Sequence, residues 1–318
     1  IATQAVVEKE LKKEGLTRHQ LGREKFVERV WEWKHQYGDR IYSQMRKIGD
    51  SCDWNRSVFT LDEGVSKAVR KVFVNLYKKG QIYKGTKLVN WSGPLESAIS
   101  DLEVEHKQIK GSIWHIRYPL ENKQDHSKSG HETGYLIVAT TRPETLLGDT
   151  AVCVHPEDER YKQYIGQNVV LPLLGRKIPI IADTYVDREF GSGVVKITPA
   201  HDFNDYKIGK THNLPFINIL TTKAELNENA GPYKGLKVQE ARKRILEDLK
   251  KQDLMEKEEP HTLNVGHCSR TGAVVEPYLS EQWFMKMEQL AVPAKRVAES
   301  GTIRFEPESW TKVYLHWM

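Results

Sequence analysis

From about Lys84 onward the chain is written in short runs of β-branched and aromatic residues, and that texture limits what it can fold into. The runs are 86–91, 112–118, 135–140, 151–154, 169–171, 178–181, 184–186, 193–198 and 216–219. Gly, Pro and Asp clusters bound them, so each predicts a strand between turns. The polar stretch 121–132 predicts an exposed hairpin loop. Helical spacing interrupts the strands from about Asp202 and again over roughly 237–251, where Val238, Ala241, Ile245 and Leu249 share one face. This pattern predicts an α+β or barrel-like domain over 110–262.

The residues before it are helical in style. Thr17-Arg-His-Gln20 has the form of a capping box. Phe26, Val30, Trp33, Tyr37, Ile41, Met45 and Ile48 then recur at spacings of three and four, which predicts one long amphipathic helix. Thr60-Leu-Asp-Glu63 predicts a second helix start, with Val65, Val69, Val72, Phe73 and Leu76 on one face and Gly80 as its stop. The periodicity assigns Trp31, Trp33 and Phe73 to core packing. The division is therefore 1–109, mainly helical; 110–262, an inserted domain; and 263–318, a return segment ending in a helix and a polar, aromatic tail. That order predicts an insertion into a host domain.

Composition sets outer limits. Hydrophobic residues make up 39% and charged residues 29%, a balance that supports a core and excludes a disordered chain. No apolar run approaches the roughly 20 residues of a membrane helix. The net charge of +5 permits contact with a polyanion without demanding it. Cys52, Cys153 and Cys268 are isolated, so neither a disulfide framework nor a cysteine zinc site is expected, and a reducing compartment fits. Ile1-Ala-Thr-Gln4 has no initiator Met and no signal-peptide pattern, and the last residues are apolar and aromatic. Both ends read as cut from a larger protein.

Two motifs carry chemistry. In Thr140-Thr-Arg-Pro-Glu-Thr145 an apolar run ends in hydroxyls and a guanidinium, and Pro143 biases Arg142 toward extended backbone. Such a stiffened end suits an anionic or hydroxylated ligand; the plainer alternative is a salt bridge from Arg142 to Glu144. The second motif runs from Gly191-Ser-Gly193 to Asp205. Strand alternation puts Lys196 and Thr198 on one face, Pro199 ends the strand, and Asp202 and Asp205 share a face if a helix starts there. Lys196, Thr198, Asp202 and Asp205 could form a polar pocket for an ammonium and a hydroxyl. Asp202 could instead be only an N-cap, and His201 with the two Asp residues could hold a divalent metal. Gly191-Ser-Gly193 lacks the features of a phosphate loop and predicts a plain turn.

With both motifs in view, residues 140–150 and 191–206 resemble the editing motifs of class I aminoacyl-tRNA synthetases, in the valyl branch of that family. The isoleucyl and leucyl relatives share the outline but generally lack Lys-Ile-Thr before Pro-Ala-His-Asp-Phe-Asn-Asp. Ile1-Ala-Thr-Gln4 resembles the run shortly after the family's HIGH motif. Residues 98–105 and 276–284 look like the edges of its connective insertion. Neither HIGH nor KMSKS is present, and Asn90-Trp-Ser-Gly-Pro departs from the usual Asn-Trp-Asp-Pro.

The resemblance implies an α/β and α+β multidomain chain: a partial Rossmann-like catalytic core with an inserted β-barrel-like editing domain. It implies a cytoplasmic protein whose partners are tRNA(Val), its misacylated threonyl ester and further parts of the same polypeptide. It implies ester hydrolysis without a cofactor in this region, ATP and Mg serving the full-length ligase. Asp205 would anchor the substrate ammonium, while Lys196, Thr198 and Asp202 would form the pocket for its hydroxyl. Arg142 and Phe190, with Thr140, Thr141 and Thr145, would line the substrate side near the terminal adenosine. No Ser or Cys is set beside a His with a third orienting group, so a positioned water is the expected nucleophile. A noncatalytic tRNA-binding fragment is the competing expectation, the isoleucyl branch is the next family choice, and a metal-dependent phosphohydrolase would be exposed by a chelator.

Overall fold

The computed structural model describes residues 2–121 and 134–318, with mixed helix and strand throughout. Ten strands follow one another among them: β1 (Ile82–Ser92), β2 (Ser97–Ala98), β3 (Val104–Pro119), β4 (Tyr135–Thr140), β5 (Ala151–Val154), β6 (Asn168–Val170), β7 (Lys177–Ala182), β8 (Val194–Ile197), β9 (Met255–Cys268) and β10 (Glu276–Met285). They form three sheets, ordered β10-β1-β2, β4-β3-β9 and β6-β7-β5-β8, and no closed barrel arises among the described residues. Apart from Glu121, the expected loop over 121–132 lies outside the described residues. None of the described helices is long and apolar enough to cross a membrane.

The chain divides into two compact units: Ile1–Gln20 with Leu88–Ser280, and Leu21–Lys87 with Glu281–Met318. In the first, β3 is the long central rail. It pairs antiparallel with β4, Trp114 opposite Thr140, and with β9, Val104 opposite Cys268, with a bulge between His115 and Ile116. Alternation then sends Ile116 and Tyr118 of β3 and Leu136 and Val138 of β4 into one core. Val152 and Val154 of β5, Ile180 of β7 and Val194 of β8 meet them there, as do Ala241, Ile245 and Leu249 of the helix Val238–Lys251.

β5 is the strand on which the site depends. Ala-Val-Cys-Val is apolar at every position because both of its faces are covered. Val152 and Val154 enter the core just described, while Ala151 and Cys153 pack with Val186, Ile197, Ile208 and Leu214 in a second cluster. Its neighbours are β7, parallel, and β8, antiparallel, which places Lys196 opposite Val152 and Ile197 opposite Ala151. The close approach of the 92–95 turn to residues 223–224 explains Gly93. A Cβ there would lie 2.7 Å from the Ala224 Cβ and 2.8 Å from the Lys223 carbonyl oxygen. Trp91 locks the same approach by donating from Nε1 to the Thr222 carbonyl at 2.8 Å.

Two expected strands are absent. Residues 184–186 turn, because the Asp183 carboxylate accepts from the Tyr185 N–H at 2.9 Å and curls the backbone. Residues 216–219 belong to no strand and pair in no sheet. Their polar groups go to side chains and a turn instead: Ile219 N–H donates to His201 Nε2 and Asn227 Nδ2 donates to the Asn218 carbonyl.

The second unit corrects the helical expectations. The single helix expected through Phe26 and Ile48 is two, Arg23–Tyr37 and Arg40–Ile48, because Gly38 and Asp39 are poor interior residues. The next helix, Glu63–Lys78, starts two residues later than Thr60 as N-cap suggests. Asp62 stands at its N-cap, its carboxylate accepting from the Phe59 N–H. None of these three helices has a buried residue. Trp31 is 37% and Phe73 38% exposed, so they are not core residues of this chain. Each keeps an edge contact, Trp31 with Phe59 and Phe73 with Trp283. The expected polar tail is a helix, Ser309–Trp317, anchored by the Tyr314 hydroxyl donating to the Ala294 carbonyl. The Thr17 capping box is present in the first unit: Gln20 N–H donates to Thr17 Oγ1, and Gln20 Oε1 accepts from Thr17 N–H. It opens only the single turn Arg18–Leu21.

Candidate functional site

β4 ends at Thr140, and a short 3-10 segment, Pro143–Gly148, carries the chain to β5 with every one of its residues buried. Such a segment has few backbone partners of its own, so side chains hold it. Thr140 Oγ1 accepts from the Arg142 N–H at 3.1 Å, and Thr145 Oγ1 donates to the Arg142 carbonyl at 3.0 Å. Arg176 donates to the carbonyls of Leu147 and Asp149.

Arg142 forms the ion pair with Glu144 and a second one with Glu276, and reaches the His201 carbonyl at 3.4 Å. Burial opposes its charge, but Glu276 and Glu144 together raise its pKa above the ordinary value. Arg242 grips Glu144 through two bonds of 2.8 Å. Burial pushes the Glu144 carboxyl up, and Arg142 and Arg242 overcome it and hold the group below the usual range. Glu276 pairs with Arg142, and burial lifts its carboxyl above the ordinary range against the pull of that guanidinium. The guanidinium of Arg142 therefore braces the loop through carboxylates on both sides.

Strand β8 delivers Lys196 and the residue after it in register, Thr198, to the same buried place. Lys196 Nζ donates to Thr145 Oγ1 at 2.8 Å, to Asp149 Oδ1 at 3.2 Å and to Thr198 Oγ1. Thr198 Oγ1 donates to Asp149 Oδ1, and the Tyr118 hydroxyl donates to Asp149 Oδ2 at 2.8 Å. Burial lifts the Asp149 carboxyl, against the pull of Lys196 and the two hydroxyls. Burial and the neighbouring Asp149 raise Tyr118 well above its ordinary value, so its hydroxyl stays a donor.

After Pro199 the helix Phe203–Thr211 begins. Asp202 is its N-cap, accepting from the N–H groups of Asn204 and Asp205, and is itself exposed. Asp205 is 6% exposed and accepts from the Thr198 N–H at 2.8 Å. Burial first, and the charge of Asp202 second, push its pKa up to about 7. His201 is closed to metal or proton chemistry: Nε2 accepts from Ile219 N–H, leaving Nδ1 to donate to the Pro277 carbonyl. Burial, then Arg142, push its pKa down to about 3. No group of three or more His, Cys, Asp and Glu side chains is placed to hold a metal ion among the described residues.

Asp205 ties stability to pH with a definite sign. Its folded pKa of about 7 exceeds the ordinary 3.8, so the folded state holds the proton more tightly. That contribution is complete below about pH 4 and is lost as pH rises to about 7, by roughly 4 kcal/mol at most. Asp205→Asn keeps an acceptor for the Thr198 N–H and carries no charge. Thermal melts are expected to show the variant more stable than the parent at pH 8, with the margin shrinking toward pH 5. Equal margins at both pH values would refute the buried charge.

Residues 191–192 form the plain turn, and Gly193 is needed in it. With φ of 75°, it is in the left-handed region, and a Cβ would lie 2.5 Å from Arg160. Ser192 Oγ donates to the Ile137 carbonyl, fastening the turn to β4, and the Phe190 ring beside it is 58% exposed.

The structure thus joins Thr145, Lys196 and Thr198 directly, links Asp205 to them through the Thr198 main chain, and links Arg142 through Thr145. Asp202 stands at the exposed helix start. A cavity of about 440 Å³ opens beside Arg142, with Thr141, Arg242, His106, His261 and Glu276 also in its walls; Lys196, Asp202 and Asp205 are not among them. Sequence reasoning offered Glu144 only as a salt-bridge partner of Arg142, the pair the structure shows, and missed Asp149, Glu276, Arg242 and Tyr118 as site residues. Only Asp149 carried a local signal, a carboxylate set between Leu146-Leu147-Gly148 and an all-apolar strand.

The family model described as tRNA synthetases class I (I, L, M and V) matches residues 1–318. A valine–tRNA ligase of Bdellovibrio bacteriovorus is 80% identical over 318 residues, all of this chain and 35% of that protein. One from Carboxydothermus hydrogenoformans is 57% identical over 318 residues, again all of this chain and 35% of the relative. One from Thermotoga maritima is 53% identical over 319, all of this chain and 36% of the relative. The chain spans about a third of the length of these curated relatives and is homologous to them from end to end. It belongs to the class I tRNA synthetases of the isoleucine, leucine, methionine and valine group.

Proposed function

We propose that residues 110–262 are an editing domain inserted between parts of a Rossmann-like catalytic core, 1–109 and 263–318, and that it hydrolyses threonyl-tRNA(Val). The observation that carries this is the meeting of Lys196, Thr145 and Thr198 with Asp205 fixed on the Thr198 main chain. A buried hydroxyl-rich cluster beside a carboxylate offers a partner for the side-chain hydroxyl, which a threonyl ester has and a valyl ester lacks, next to one for the ammonium that both share. The relatives named as valine–tRNA ligases support the tRNA. The need for such a site follows from the similar shapes of valine and threonine, for which the handling of threonine by valyl enzymes is the standing example.

The Asp205 carboxylate takes the ammonium. An incoming cation favours its ionised form, which burial disfavours when the site is empty. The ester carbonyl is thereby oriented, and water attacks it. His201 has both ring nitrogens engaged and supplies no base, so orientation and local electrostatics carry the rate. The exposed Phe190 ring offers a stacking face for the terminal adenosine. Thr140, Thr141 and Arg142 shape the adjoining wall, Arg142 as a brace. The protein acts in the cytoplasm, and ATP and Mg serve the longer ligase.

Purified protein is expected to deacylate threonyl-tRNA(Val) at least tenfold faster than valyl-tRNA(Val). Equal, background rates for both esters would favour a noncatalytic tRNA-binding role. Valine-dependent pyrophosphate exchange is expected to stay at background, since neither HIGH nor KMSKS is in the sequence; exchange above background would contradict this.

A further inference from the structure

Lys196 has no donor to spare. Its three N–H directions go to Thr145 Oγ1, Asp149 Oδ1 and Thr198 Oγ1. The two hydroxyls have spent their protons as well. Thr145 donates to the Arg142 carbonyl and Thr198 to Asp149 Oδ1. Each hydroxyl accepts from Lys196 and donates away from it, so each retains one lone pair and nothing to donate. The remaining capacity of the cluster is acceptor capacity.

Asp149 imposes this polarity. Its Oδ1 receives both Lys196 and Thr198, and its Oδ2 receives Tyr118. Asp149 and Tyr118 are 0% exposed, against 1% for Thr198 and 4% for Thr145, so the carboxylate and the phenol lie deepest in the cluster, behind the two threonine hydroxyls. Without the carboxylate, the Thr198 proton would be free to turn outward, and Lys196 would be a buried cation lacking its counter-charge.

We propose that Asp149, held by Tyr118, is a positioning residue that fixes the hydrogen-bond polarity of the pocket, so that Thr145 and Thr198 meet the substrate side-chain hydroxyl as acceptors. This rests on the editing reading above and refines it. Lys196 then works as an internal spacer between two hydroxyls, and the pocket selects side chains that can donate. Valine offers only methyl groups there.

The test compares the chain with Asp149→Asn and Tyr118→Phe, using single-turnover hydrolysis of threonyl- and valyl-tRNA(Val). Asp149→Asn, which can present an amide donor to Thr198, is expected to lower the threonyl-to-valyl rate ratio at least tenfold. Tyr118→Phe leaves the charge in place and is expected to lower it about two- to fivefold. A merely structural role would slow both esters together, and an unchanged ratio in folded variants overturns the proposal. If Asp149→Asn does not fold, the ratio for Tyr118→Phe decides. Nitrogen-15 NMR of the Lys196 ammonium supplies a readout independent of substrate. Its protons are expected to exchange slowly in the parent and faster in both variants. If the parent hydrolyses neither ester, the editing reading fails, and this exchange decides the anchoring: faster exchange supports it, and unchanged exchange overturns it.

Discussion

Asp205→Ala is expected to slow threonyl-tRNA hydrolysis by on the order of a hundredfold or more. Every substrate ester carries the ammonium that Asp205 is proposed to take, and free tRNA does not. Removing one partner of a buried pair typically costs about 3–5 kcal/mol, and each decade of rate corresponds to roughly 1.4 kcal/mol. Both esters share the ammonium, so both should slow. Asp202→Ala is expected to behave differently. It loses the cap on Asn204 and Asp205, worth about 1 kcal/mol of stability, and, in the hydroxyl-binding role that the family resemblance implies for this exposed carboxylate, narrows the preference for threonyl over valyl ester. Deacylation rates for both esters on folded variants separate the two residues. Parent-like threonyl hydrolysis by Asp205→Ala would sink the assignment of this site.

The second large effect is on stability. Glu144 is 1% exposed and stands between Arg142 and Arg242. Glu144→Ala removes the carboxylate from both, leaving Arg242 without its bidentate partner and Arg142 with Glu276 alone. Breaking a buried ion pair from one side costs about 3–5 kcal/mol. For a unit of this size that corresponds to a fall in melting temperature of roughly 10 °C. Calorimetry checks it, and a melt within about 2 °C of the parent would show that the pair contributes little net stability.

What the sequence made legible was whatever is written in local spacing. Val238, Ala241, Ile245 and Leu249 announce a helix face, and all four are buried. The strands 135–140 and 151–154 occur with the expected bounds, because apolar runs between turn residues have few alternatives. Residues 216–219 show the limit. An apolar run has no way to reveal that its N–H will be claimed by an imidazole 18 positions away. The electrostatics were hidden for the same reason. Glu144 and Arg242 are 98 positions apart, and Arg142 and Glu276 are 134 apart. Asp149 draws on Tyr118 from 31 positions before it and Lys196 from 47 after it. Lys196 and Thr198 were placed together correctly because strand alternation is local; their shared carboxylate was not visible from either one. Trp31 and Phe73 failed in the opposite direction. Their helical periodicity is genuine, but burial also requires a second layer, and this chain leaves them more than a third exposed.

The double burial of β5 has a consequence for chemical labelling. Cys153 sits inside it with its thiol pushed up to about 12 by burial, and Cys268 is buried in the same unit, while Cys52 is exposed in the other. A maleimide should therefore find one thiol in the native protein and three after denaturation. The interval before the second and third labels arrive becomes a clock for the opening of the first unit, and mass spectrometry can read it without any optical probe.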